Sequence, residues 1–130
     1  MVLVDHGSRE PAANAQLERV AGALRRRLGI PIEIAHLSLA RPAIADAIGA
    51  CAERGVREVV VVPYFLAPGR HTTRDVPALA RAAAATHGLR LRLAEPLGAH
   101  AGLIDALAAR TRRARPITQA RRAAARGGSS

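Results

Sequence analysis

The chain has 130 residues, 49% of them hydrophobic but only 2% aromatic, with one Cys and a formal net charge of +10. This length fits a single domain with a buried core, the lone Cys51 excludes an internal disulfide, and Tyr64 and Phe65 are too few aromatics for a base-stacking nucleic-acid surface. The charge is uneven: residues before Arg110 carry 13 Arg and 10 acids, whereas Arg110 onward carries 7 Arg and no acid, so the basic excess belongs mainly to a C-terminal stretch that reads as a solvated helix end and tail.

Val2 to Asp5 is the first expected strand, an apolar run closed by an acid. A helix comes next from Glu10 to Leu28, with Leu17, Val20, Ala21, Leu24 and Leu28 on one stripe, Arg25, Arg26 and Arg27 at its cationic end and Gly29 as its stop. Ile30 to Leu39 reads as a second strand and Pro42 to Arg54 as a second helix; Cys51 in that helix reads as a small buried hydrophobe. Glu58 to Tyr64 carries Val59-Val60-Val61-Val62, the signature of a strand covered on both faces and hence central. A long loop from Phe65 to Arg74, with Pro68, Gly69, Arg70 and His71, leads into a helix from Asp75 to His87. Leu89 to Glu95 is the fourth strand, Ala101 to Arg113 the last helix, and Pro116 breaks the helical pattern beyond it. The β-α-β-α-β-α-β-α order predicts an open parallel sheet of about four strands with helices on both faces. The expected domain runs from 1 to 115, with a basic, mobile tail from 116 to 130. No run of 18 apolar residues and no leader pattern at the N-terminus occur, so a cytoplasmic protein without a membrane span is expected.

In such sheets ligands sit beyond the carboxyl ends of the strands. Asp5 and His6 lie past the first strand, His36 and Ser38 end the second, Arg70 and His71 lie past the third, and Glu95 and His100 flank the end of the fourth. Each His has a plain reading as a helix cap or turn residue. Four at one edge point to metal or proton chemistry instead. No HExxH, paired CxxC, GxGxxG or GxSxG pattern is present, which leaves hydrolytic zinc, zinc-finger, dinucleotide and serine-nucleophile sites unsupported.

Four segments in register, Asp5-His6-Gly7-Ser8-Arg9, Ala35-His36-Leu37-Ser38-Leu39-Ala40, Pro63 through His71 and Pro96-Leu97-Gly98-Ala99-His100, resemble the small class II tetrapyrrole chelatases. These are the sirohydrochlorin cobalto- and ferrochelatases of the CbiX/SirB type, and the likeness covers roughly residues 2 to 113. It implies a three-layer, flavodoxin-like chelatase domain that pairs as a homodimer. It also implies insertion of Co2+ or Fe2+ into sirohydrochlorin, toward cobalamin or sirohaem, with no permanently bound cofactor. Ni2+ shares the same ligand preferences. His6 and His71 match the residues that hold the metal and take up pyrrole protons. The substrate is rich in carboxylates, so Arg9, Arg70 and Arg74 could clamp it, with Ser38 and His100 also at the substrate; the other reading of each Arg is a surface salt bridge.

One position departs from the family pattern: Ser38 stands where a Glu is usual. A hydroxyl is neither a good ligand for these ions nor a useful base at pH 7. Three readings stay open. The two His residues could work with water or substrate; His36, Glu95 or His100 could substitute; or the protein could be a non-catalytic metal or tetrapyrrole carrier on the same scaffold.

Overall fold

The structure is a computed structural model that describes residues 1–117, with the backbone but not the side chain of His71. Residues 118–130 of the expected tail lie outside the described residues. The described residues divide into two units, residues 1–99 and those from 100 onward.

In the first unit β1 (Val2–Asp5), β2 (Glu33–His36), β3 (Glu58–Pro63) and β4 (Arg90–Leu93) alternate with α1 (Pro11–Leu28), α2 (Ile44–Glu53) and α3 (Val76–Thr86). The strands form one all-parallel sheet in the order β2-β1-β3-β4. Parallel neighbours need crossovers, and helices supply them. β1 and β3 are therefore the interior pair, with Val4 opposite Pro63 and Tyr64 N–H donating to the Val4 carbonyl at 2.6 Å.

Alternation along the strands sends side chains to two separate cores. Val2 and Val4 of β1 and Val59 and Val61 of β3 face α2 and α3, meeting Ile44, Ile48, Val76 and Ala80. Leu3 faces the other way, where Leu17 and Ala21 of α1 close over it with Ile32. Both sheet faces are covered, as the Val run predicts. The α1 stripe is shorter than expected, because Leu28 lies in the last turn and stays half exposed. That helix stops at Gly29, whose φ of +66° lets its N–H turn back to the Arg25 carbonyl at 2.8 Å.

β2 is trimmed at both ends relative to the expected strand. Past His36 the chain leaves the ladder: His36 N–H donates to the Pro42 carbonyl, and Leu39 takes a left-handed φ of +67°. β4 is an edge strand with an exposed Arg90-x-Arg92 face, both Arg near Glu58 of β3. The long loop after β3 ends in a π-helical turn, His71–Asp75, that runs directly into α3. In the second unit α4 spans Ala101–Arg112 and is capped by His100, whose Nδ1 accepts from the Gly102 N–H at 2.9 Å. No helix among the described residues is long and apolar enough to cross a membrane.

Candidate functional site

The carboxyl ends of β1, β2 and β3 release three segments that interlock. Beyond β1 the chain turns sharply at Gly7, with φ +89°. The segment after β2 passes directly beneath: Leu37 N–H donates to the Asp5 carbonyl at 2.9 Å and Ser38 N–H to the His6 carbonyl at 3.0 Å. A Cβ on Gly7 would lie 1.8 Å from the Ser38 carbonyl oxygen, so only glycine fits. The turn is also tied to α1. Ser8 N–H donates to Asn14 Oδ1 at 3.0 Å, and Asn14 Nδ2 donates back to the Ser8 carbonyl at 2.7 Å.

His6 is thereby held, exposed, at the mouth of a cleft of about 350 Å³ between α1 and the end of β3, lined by Asp5, Gly7, Asn14, Tyr64 and Phe65. Its Nδ1 lies 3.3 Å from the Gly7 carbonyl. When that Nδ1–H donates, Nε2 carries the lone pair a divalent ion would take. His71 opens the π-helical turn on the loop from the neighbouring strand β3; its side chain lies outside the described residues. Thr72, buried, pins this turn: its hydroxyl accepts from the Gly69 N–H at 2.9 Å.

His36 takes the plain alternative. It is 2% exposed and its Nδ1 donates to Asp5 Oδ1 at 2.5 Å, a satisfied internal pair beneath the His6 turn. Ser38 is exposed and lines a second cleft of about 390 Å³ with Asp75 and Leu79. Arg74 opens instead on a third cleft, which Arg81 and Glu95 share. Arg9 and Arg70 are exposed on their loops. Arg25, Arg41, Arg54, Arg90 and Arg92 make the ion pairs seen among the described residues, and Arg9, Arg70, Arg74 and Arg81 are not among them. The salt-bridge reading of Arg9, Arg70 and Arg74 thus finds no support here. His100 acts within the second unit as the α4 cap.

No three His, Cys, Asp or Glu side chains converge on one metal position among the described residues. Two residues of the site went unnoticed in the sequence. Asn14 is the brace of the His6 turn, and the only cue is a Ser and an Asn six residues apart straddling a helix start. Asp75 reads as a helix opener, although its spacing of four from His71 puts both positions on one side of a helical turn.

The CbiX family model matches residues 1–114. Over 107 residues, 81% of this chain and 48% of its counterpart, the chain is 43% identical to the chloroplastic sirohydrochlorin ferrochelatase of Arabidopsis thaliana. It is 42% identical over 80 residues to the sirohydrochlorin cobaltochelatase of Methanocaldococcus jannaschii, covering 61% of this chain and 56% of that protein. The chain thus spans about half the length of the curated relatives it matches. Among solved structures, a CbiX protein from Marinobacter aquaeolei VT8 superposes with a TM-score of 0.72 at 32% identity, over 87% of this chain and 97% of that one.

Proposed function

Because the chain belongs to the CbiX family, we propose that it inserts Co2+ or Fe2+ into sirohydrochlorin, on the way to cobalamin or sirohaem. One observation carries the assignment of residues: β1 and β3 are hydrogen-bonded neighbours, so the loops bearing His6 and His71 leave the sheet side by side. Adjacent parallel strands lie about 4.8 Å apart, so the two loops start from one place on the sheet edge.

The chemistry asks for little more. The free macrocycle plus M2+ gives the metallated macrocycle plus two protons. His6 and His71 deliver the ion in a few-coordinate state, leaving positions open for pyrrole nitrogens. As the ion transfers, the vacated imidazole nitrogens accept the pyrrole protons. Arg9, Arg70 and Arg74, at the same edge of the sheet, offer forked donors to the substrate's carboxylates. The exposed Ser38 adds a neutral hydroxyl to its cleft, where Asp75 supplies the carboxylate. The likeness to the small class II chelatases favours a homodimer in which a second copy completes the substrate cavity. The single buried Cys51, free of any disulfide, suits the cytoplasm.

The test is anaerobic metallation of sirohydrochlorin by Co2+, Fe2+ and Ni2+, monitored by absorbance. His6→Ala and His71→Ala should each slow insertion by about 100-fold or more while the far-UV circular dichroism stays native. Unchanged rates in both variants would remove the two-histidine mechanism. Co2+ or tetrapyrrole binding without insertion by the unmodified protein would point to a carrier on this scaffold.

A further inference from the structure

The third cleft along the carboxyl edge is larger than the one beside His6. It measures about 610 Å³ and lies between the start of α3 and the end of β4. Its apolar lining comes from Pro63, Pro77, Leu93 and Pro96, and Arg74, Arg81 and Glu95 supply its charge. We propose that this cleft is a carboxylate-binding subsite in which Arg81, with Arg74, holds an acidic arm of the tetrapyrrole. The inference rests on the chelatase reading and adds to it a residue, Arg81, and a place.

Three features of the cleft support it. First, Arg74 and Arg81 are seven residues apart across the continuous π-turn and α3, so two turns bring both onto one side. Second, both are exposed, and neither makes an ion pair among the described residues although Glu95 lines the same cleft. Two guanidinium groups against one carboxylate leave a net positive charge, which repels a free dication and attracts an anion. Third, the apolar lining suits the methylene stem of an acetate or propionate while the guanidinium fork takes its head. A ligand fitting both is a carboxylate on a short apolar arm. Thr72, Thr73 and Arg74 line this cleft and belong to the turn that begins with His71, so an arm seated here registers the ring against that loop.

The test compares binding of metal-free sirohydrochlorin, by absorbance titration, with metallation kinetics. Arg81→Ala should raise Kd and KM together by about tenfold, with a smaller change in kcat, and Arg74→Ala/Arg81→Ala should raise them further. Arg81→Lys should recover only part of the loss, since it keeps the charge but not the fork. The fully esterified substrate should bind the unmodified protein and Arg81→Ala equally weakly. If Arg81→Ala fails to fold by circular dichroism, Arg81→Gln takes its place. Wild-type Kd and KM in a folded variant would overturn the subsite. Absence of metallation by the unmodified protein would overturn the chelatase reading instead.

Discussion

At Gly7 a single hydrogen atom decides where His6 stands. The positive φ and the carbonyl of Ser38 in the space a Cβ would need act together, and neither neighbour is a flexible side chain that could yield. Gly7→Ala should therefore cost about 3 kcal/mol or more, read as a lowered urea midpoint, and should slow metallation in whatever fraction remains folded. A variant as stable and as active as the parent would show that the turn can be redrawn. The order Asp5-His6-Gly7 after an apolar run made this turn legible in the sequence as a strand end with a candidate ligand. The partner that lies against it was not legible. Ser38 and His36 come from a segment some thirty residues away, and nothing in local spacing announces that His36 will be spent on Asp5 rather than on a metal.

The helices show the same division between local and distant information. The first turn of α2 carries Asp46, whose carboxylate accepts from the Ala43 N–H at 2.9 Å and from Arg41 at 3.0 Å. The backbone hydrogen bond first, then the Arg41 bond, hold this carboxyl below its ordinary range. A depressed folded pKa stabilises above the unfolded value, and that contribution is lost as the pH falls through the folded value. Asp46→Asn should therefore lower the thermal midpoint at pH 7, with the gap between variant and parent closing in acid below the ordinary carboxyl range; a gap independent of pH would assign the effect to packing. Among the described residues the four strands and four α-helices were legible from apolar period and from Gly and Pro positions, including α1, expected from Glu10 to Leu28 and found from Pro11 to Leu28. The ends of β2 were not. Pairing stops at His36 because the chain there turns to meet Pro42 and Ala43, a tertiary contact that Ile and Leu content does not report. The π-helical turn at His71–Asp75 likewise needs its i+5 bonds to be recognised, and Thr72 and Gly69 look like ordinary loop residues.

For the molecule as a whole, the proposed homodimer sets the measurement. Sedimentation equilibrium of the 13.6 kDa chain at micromolar concentration should return twice that mass, and a monomer at those concentrations would contradict the pairing. The sheet order bears on what such an assembly does over many turnovers. β1 pairs with β2 and β3, and β3 with β1 and β4, whereas β2 and β4 each have one strand neighbour among the described residues. Fraying begins at bare edges and reaches the shielded middle of a ladder last. The two strands that root the histidine loops are therefore the last to part as the domain breathes. On the proposed two-histidine reading, the middle of the sheet restores the gauge between the two arms after each transfer, and the loops need not find it again.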